Sequence, residues 1–419
     1  MTKAAQELDP PSLREPRWLL LLGVPALLLA LTISVLGVVR VGGGGLDFPV
    51  LYEMGRAIAF GTDPYSTYDT KYYHDLYGVT QYGMFYPPST GVAILPLSLL
   101  PYSVAMWSFT VLMLLSVVLG VRELFRIRPS PVAQSVWYFA AALVLASAAM
   151  RWGAMLLQLA PVVFGLLCLF VGALHRGRSK LAVAIAMLVL CLKVTLALPF
   201  LGLLFVYRRF AAVFGCLAAW AGINALGFLR MGGHAFAGYR NNVAVLEDIT
   251  QISSPDPWRT VALPRLDWVS LNYGLTRNLP LSRLLSLALA VAFALWIFRE
   301  WRRSSHELSP RTTALFLPAL VALSMCAVYH HQYDAVLFFA PVFLVWTFLE
   351  RRITLPVVLC TPLLLMIVAL PIGKVQAMLE HLLGVFGVGL LKLSFPIAFT
   401  LAMFGTMLNL SRGVLAKTK

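Results

Sequence analysis

Residues 18–39, WLLLLGVPALLLALTISVLGVV, contain no charged side chain and end directly before Arg40. A helix needs about 20 mostly apolar residues to cross the hydrocarbon core of a bilayer, so this stretch predicts a transmembrane helix. Its apolar run is longer than the core of a cleaved signal peptide, usually about 7–15 residues, and no small-residue cleavage pattern follows it. We therefore interpret this first helix as retained.

The composition of the whole chain agrees with this helix. Of its 419 residues, 60% are hydrophobic and only 12% are charged, whereas a soluble domain has about 25% charged residues. So little charge cannot cover the surface of a water-soluble globule or keep a chain disordered. We predict an all-α polytopic membrane protein with one integral membrane domain over residues 1–419.

Stretches that fit transmembrane helices recur along the chain. They lie at 18–39, 103–121, 134–149, 154–174, 210–229, 284–298, 312–328, 335–349, 353–371 and 384–410. One further apolar stretch, 181–207, fits either a single long helix or two short helices interrupted at Lys193.

Basic residues are concentrated in short connectors between these stretches. The connectors are Arg122/Arg126/Arg128, Arg176/Arg178/Lys180, Arg208/Arg209, Arg299/Arg302/Arg303/Arg311 and Arg351/Arg352. Together with both terminal tails they carry a net charge of +13, and the rest of the chain carries only +2 of the total of +15. The positive-inside rule places them in the cytoplasm. This topological role explains the basic charge, and we do not predict nucleic-acid binding.

The same assignment resolves the stretch 181–207. Lys180 and Arg208 both fall on the cytoplasmic side, so an even number of crossings separates them. The stretch therefore predicts a hairpin with Lys193 at its outer tip. The chain then has about 12 crossings with both termini in the cytoplasm, or 10 if the hairpin is re-entrant.

Two long loops, roughly 41–89 and 231–283, lie on the non-cytoplasmic side, and loops of this length are usually functional. The first contains no tryptophan but many tyrosines: Tyr65, Tyr68, Tyr72, Tyr73, Tyr77, Tyr82 and Tyr86. Tyrosine is enriched at membrane–water interfaces, so we expect interfacial helices at headgroup level in this loop.

Asp47 is the candidate catalytic residue of the first loop. It follows Gly42–Gly45 and precedes Phe48-Pro49. A carboxylate among apolar neighbours at a membrane surface suits a general base. Because proline favours the first turn of a helix, Asp47 is also a candidate helix N-cap, and the two roles can coexist.

Other polar residues lie on the same predicted side of the membrane. Tyr86 opens an apolar run through Pro87-Pro88, Arg151 lies between two outer helix ends, and Gln158 lies about two turns into the next predicted helix. Lys193 lies between two apolar half-helices. Cations at such depths usually have a partner or ligand, with a lipid phosphate the natural candidate, although snorkelling is an alternative for Lys193.

Two later segments add Asn272, Arg277, His330 and His331. Adjacent histidines project to different sides of a helix. No histidine pair has the i, i+4 spacing of a helical metal site, so we do not predict a metal. Hydrogen bonding to a phosphate or sugar and plain interfacial packing both remain open for this segment.

A set of motifs in this order resembles glycosyltransferase family 87, a family of polytopic membrane enzymes in the GT-C superfamily. The motifs are Asp47-Phe48-x-x-Leu51-Tyr52-x-x-x-Arg56-Ala57, Gly61-x-Asp63-Pro64-Tyr65, Tyr86-Pro87-Pro88, Gln158, Lys193, Ser270-Leu271-Asn272 with Arg277, and His330-His331. The resemblance runs from about residue 46 to 350. Members include mycobacterial polyprenyl-phosphomannose-dependent α-mannosyltransferases.

The resemblance implies a GT-C-type fold and an inverting glycosyltransferase of the inner (plasma) membrane with no cofactor. It would transfer a sugar, mannose by the family's default, from a polyprenyl-phosphate donor to a lipid or glycan acceptor on the periplasmic or extracellular side. Asp47 would be the general base. The residues implied around the donor phosphate and substrate are Lys193, Arg277, His330, His331, Asn272, Arg151, Gln158 and Tyr86.

Two other classes of protein fit the composition. A transporter or lipid flippase usually places polar sites near the bilayer midplane and often contains inverted repeats. Here the predicted spans carry almost no midplane charge, and no repeat is detectable. A non-catalytic membrane scaffold is the third interpretation, and it would leave Asp47, Lys193 and His331 freely replaceable.

Overall fold

The computed structural model describes residues 17–40, 47–67, 70–77, 84–127, 132–246, 254–258, 265–304, 307–348 and 372–415. These ranges are helical apart from turns, connectors and one isolated bridge between Arg265 and His331. The predicted all-α class is confirmed.

The first half of the described chain contains α1 (Arg17–Arg40), α2 (Phe48–Phe60), α3 (Pro64–Thr67), α4 (Thr70–Tyr77), α5 (Pro88–Ser98), α6 (Tyr102–Phe125), α7 (Val132–Ala146), α8 (Ala148–Leu156), α9 (Ala160–His175) and α10 (Ser179–Leu192). The second half contains α11 (Leu198–Val206), α12 (Phe210–Met231), α13 (Ala235–Leu246), α14 (Trp268–Thr276), α15 (Leu279–Arg303), α16 (Pro310–Ala327), α17 (Phe339–Phe348) and α18 (Ile372–Leu415). Short 3₁₀ turns cover Val194–Leu196 and Gln332–Phe338.

Six helices in the described ranges are long and apolar enough to cross a membrane: α1, α6, α12, α15, α16 and the Glu380–Ala402 part of α18. The pair α7–α8, bent by 60°, adds a seventh if it forms one span. The chain is therefore a polytopic membrane protein. The total of 12 crossings stays a prediction, because several expected spans are shorter helices and 353–371 lies outside the described residues.

The chain breaks twice where two continuous spans, 134–149 and 154–174, were expected. Ser147 ends α7 and caps α8 by accepting a hydrogen bond from the Met150 N–H at 3.1 Å. Leu157 then takes a left-handed conformation, φ 52°, and the Gln158 N–H donates to the Gly153 carbonyl at 2.8 Å to close α8. The expectation that Gln158 lies two turns inside a helix is thus wrong, since it lies in the break before α9.

The stretch 181–207 forms the predicted hairpin. α10 leads up to Lys193, which has extended backbone angles, and α11 returns so that Ser179 and Tyr207 line the same cavity. The Ser324 hydroxyl on α16 donates to the Thr195 carbonyl at 2.9 Å and holds the tip. Fourteen residues make α10 about 21 Å long. An arm of this length is shorter than a bilayer core of about 30 Å and fits the re-entrant alternative.

The first long loop is helical in its described part, with α2 buried along most of its length. The sequence predicts that the tyrosines of this loop lie at lipid headgroups, but two of them are buried inside the protein. Tyr65 is 6% exposed and Tyr73 is fully buried. The reason is local, because the Tyr65 hydroxyl donates to the Tyr86 carbonyl at 2.8 Å. These side chains hold the loop together.

Glycines on α6 and α9 let these two helices pack closely. A Cβ atom at Gly165 would lie 2.2 Å from the Ser116 carbonyl oxygen, and one at Gly120 would lie 2.6 Å from the Gly165 oxygen. Small residues let helix backbones in membranes approach closely. This contact fixes α9 and therefore the position of Gln158 at its start.

We expect Gly165→Ala to lower the free energy of unfolding in detergent by about 2 kcal/mol, because the added methyl meets backbone that cannot give way. Gly215→Ala is the matched control, since nothing lies within 4 Å of a Cβ atom there on α12. The stability of both variants is measured by thermal denaturation. Wild-type stability in Gly165→Ala as well as in Gly215→Ala would contradict this packing.

Candidate active site

Asp47 is held at the start of α2 by two contacts. Its backbone N–H donates to the Leu156 carbonyl at 3.1 Å, which ties it to the end of α8. Its carboxylate accepts a hydrogen bond from the Gln158 amide nitrogen, and it makes no side-chain cap on α2. Asp47 occupies the N-cap position of α2, as the sequence predicts, but its side chain does not cap the helix. A half-buried carboxylate is instead oriented by an amide.

Lys193 at the hairpin tip pairs with Asp334. The ammonium Nζ lies 2.6 Å from Asp334 Oδ1 and 5.2 Å from the centre of the Tyr333 ring. Asp334 is 1% exposed. The lysine does not simply snorkel to an interface, because its charge has a buried partner. A buried pair of this kind is strongly destabilised when one member is removed.

The two adjacent histidines face different partners, as the sequence predicts. His330 is fully buried and its Nδ1 lies 3.0 Å from Asp334 Oδ2. His331 donates its backbone N–H to the same oxygen at 3.2 Å, and its Nε2 hydrogen-bonds the Tyr329 hydroxyl. His330 Nε2 has no hydrogen-bond partner in the part of the chain that the structure describes.

The Asp334 carboxyl is ionised in this setting. Burial raises its pKa, but the Lys193 ammonium and His330 lower it more, so the pKa lies well below its ordinary value. An ionised carboxylate favours a proton on the facing His330 Nδ1, which leaves Nε2 as an acceptor in the neutral ring.

Tyr86 and Tyr333 connect the two halves of the site. Burial raises the pKa of both phenols well above the ordinary value, and the carboxylates of Asp47 and Asp334 raise them further. The end of α8, to which the Asp47 backbone is tied, packs against the Gln332–Phe338 turn that carries Asp334, so the Asp47 pair and the Asp334 pair lie in one site. We call this group the central cluster: Asp47, Tyr86, Gln158, Lys193, His330, Tyr333 and Asp334.

Arg265 borders the central cluster and was not predicted. Its guanidinium bonds both Asp267 oxygens, at 2.8 and 2.9 Å, and lies 4.6 Å from the centre of the Tyr329 ring. The Leu266 N–H donates to the His330 carbonyl at 3.0 Å, which pairs the two segments. The sequence around Arg265 has no motif, and only the apolar surroundings of Arg265 and Asp267 hint at a buried pair.

Three predicted site residues have no described contact with the central cluster. Asn272 donates to the Ser286 hydroxyl at 2.9 Å between α14 and α15. Arg277, 52% exposed, pairs with Asp256 at 2.9 Å at the far end of α14. Arg151 is half-buried on α8 and forms no ion pair with the residues that the structure describes. The structure therefore brings together Asp47, Tyr86, Gln158, Lys193, His330 and His331 from the predicted set.

We expect Lys193→Met to destabilise the protein by about 3 kcal/mol, because Asp334 is left as an uncompensated buried charge. The double variant Lys193→Met/Asp334→Asn removes both charges and should recover more than half of this loss. Thermal denaturation of Lys193→Met, Asp334→Asn and the double variant gives a double-mutant cycle, which measures the interaction between the two side chains. Purely additive losses would show that the two side chains do not interact.

Comparison with known proteins identifies the family of the chain. No curated protein matches the chain significantly. The family model of glycosyltransferase family 87 matches residues 85–328, a range that includes Tyr86, Gln158, Lys193 and Arg265. The match covers more than half of the 419 residues, and the chain belongs to glycosyltransferase family 87.

Proposed function

We propose that this membrane glycosyltransferase transfers a sugar, mannose first among the candidates, from a polyprenyl-phosphate donor to a lipid or glycan acceptor. The reaction takes place on the non-cytoplasmic face of the plasma membrane, with both termini in the cytoplasm. The observation that carries the proposal is the central cluster. Its support for the proposal is that one cluster contains the Asp47 carboxylate, bonded by Gln158, together with the Lys193 ammonium and the His330 ring.

Asp47 is suited to accept the proton of the acceptor hydroxyl. Its carboxylate is half-buried, is oriented by Gln158, and lies at the end of α8. Asp334, the other carboxylate of the central cluster, is occupied by Lys193 and His330. Of these two acids, Asp47 therefore has the role of base.

Lys193 and His330, the two partners of Asp334, are suited to contact the donor. An ammonium has three N–H donors, and Asp334 accepts one from Lys193. His330 Nε2, which has no described hydrogen-bond partner, is an acceptor available to a sugar hydroxyl of the donor. Preorganised donors such as the remaining N–H groups of Lys193 stabilise negative charge as it develops on a leaving group.

The chemical step is a single displacement. The acceptor oxygen gives its proton to an Asp47 oxygen and forms a bond to the anomeric carbon of the sugar. The bond from that carbon to the phosphate oxygen breaks, and the leaving polyprenyl monophosphate keeps the electron pair. One displacement inverts the anomeric centre, so a β-linked donor yields an α-linked product.

We expect Asp47→Asn to lower kcat by about 10³, since general base catalysis contributes roughly 10²–10⁴ and the amide cannot accept the proton. The measurement is release of polyprenyl phosphate from polyprenyl-phosphomannose by purified protein with acceptor lipid. Asp75→Asn removes an exposed carboxylate of the same loop and should keep full activity. Full activity in Asp47→Asn, with an unchanged melting temperature, would remove Asp47 as the base.

Gln158→Leu should move the acid limb of the pH–rate profile to higher pH by about one unit, since an N–H donor that favours the charged carboxylate is lost. Gln332→Leu is the control, because Gln332 is also a buried amide but makes no described contact with Asp47. A lower kcat with an unmoved pH profile would assign Gln158 a packing role instead.

A further inference from the structure

A cavity of about 390 Å³ lies where the α10–α11 hairpin begins and ends, at the opposite end from Lys193. It is lined by Leu174, Ser179, Tyr207, Arg208, Arg209 and Leu308. We propose that this cavity binds the phosphate headgroup of an anionic phospholipid. The site is separate from the central cluster, and its ligand is a structural lipid and not a substrate.

The charge at the cavity is unbalanced. Arg208 and Arg209 line it, Arg178 and Lys180 flank Ser179, and all four are exposed. No described carboxylate lies within ion-pair distance of these four residues, although Glu307 adjoins Leu308 in the sequence. An anion at the cavity would therefore meet a local excess of positive charge.

Two neighbouring arginines do not share this imbalance. Arg126 at the end of α6 and Arg176, two residues before Arg178, both pair with Glu123. The positive-inside rule accounts for basic residues on this face in general, but not for the difference between paired arginines and unpaired ones gathered at a cavity.

The cavity wall is preformed. The Tyr207 hydroxyl lies 2.5 Å from Thr313 Oγ1, and His175 Nε2 lies 2.8 Å from the same oxygen, which joins α9 and α11 to the start of α16. Arg208 takes a left-handed conformation, φ 57°, and the Arg209 N–H donates to the Leu204 carbonyl at 2.8 Å. Both arginines thus project from a rigid corner, and binding requires little ordering of the backbone.

The surroundings favour a lipid over a soluble anion. Leu174 and Leu308 give the lining an apolar part. Close in sequence to the lining residues Ser179 and Arg209, α10 exposes Leu181 (47%) and α12 exposes Phe214 (68%). Acyl chains would cover these side chains while the phosphate meets the arginines. Basic pockets between membrane helices on the cytoplasmic side bind anionic headgroups in this way.

Native mass spectrometry of the full chain, with phosphatidylglycerol or phosphatidylcholine of identical acyl chains, tests the proposal. We expect preferential binding of phosphatidylglycerol. Arg208→Gln/Arg209→Gln should weaken that binding roughly 25-fold, about fivefold for each charge removed, and leave phosphatidylcholine binding unchanged. Wild-type affinity for phosphatidylglycerol in this variant would overturn the proposal.

Four further arms make the result specific. Arg208→Lys/Arg209→Lys keeps the charges and should keep the binding, and Arg122→Gln/Arg302→Gln removes two exposed charges elsewhere and should not weaken it. Arg208→Gly removes one charge where glycine accepts the left-handed backbone, and it replaces the double variant if that variant does not fold. Displacement of phosphatidylglycerol by millimolar inorganic phosphate would identify a soluble-anion site and contradict the lipid.

Discussion

The ammonium of Lys193 is placed at the tip of an apolar hairpin, and the rest of the site depends on its counter-ion. An unpaired charge in such surroundings costs several kcal/mol, so Asp334 has to lie at the hairpin tip. The segment that carries Asp334 also carries His330 and His331, and the backbone pairing of His331 with Arg265 brings in the loop before α14. One ion pair therefore links three long-separated parts of the chain.

The charges around the site are closely balanced. Lys193 is matched by Asp334 and Arg265 by Asp267, while Asp47 adds one more negative charge. A donor phosphate would therefore not be drawn in by a net positive field. It would be held by directed N–H donors of groups that keep their carboxylate partners. Such an arrangement favours a ligand of one shape over anions in general, because directed hydrogen bonds depend on geometry more than on charge.

Sequence reasoning reached the membrane class and the hairpin with Lys193 at its tip, because hydropathy and charge counting determine these features. It also reached the different orientations of the adjacent histidines, although His331 has an extended backbone and not the helical one from which the prediction was argued. It did not reach the break at Gln158, because the left-handed residue there is Leu157 and not a glycine. It also missed Arg265, whose partners come from tertiary structure. Asn272 and Arg277 were expected at the site because they lie late in the second long loop, within the ordered set of motifs. In the structure α14 carries Arg277 about 14 Å from the start of that helix.

The separation of 141 residues between Lys193 and Asp334 affects how the protein is made. A ribosome adds about 5–20 residues per second, so the lysine emerges roughly 7–28 s before its partner. During that interval the hairpin has a cation with no counter-ion, and burial of its tip is unfavourable. The tip is then expected to stay near water until the later segments arrive. Completion of the site is thereby coupled to the completion of insertion, because the Lys193–Asp334 pair forms only when the later segment arrives.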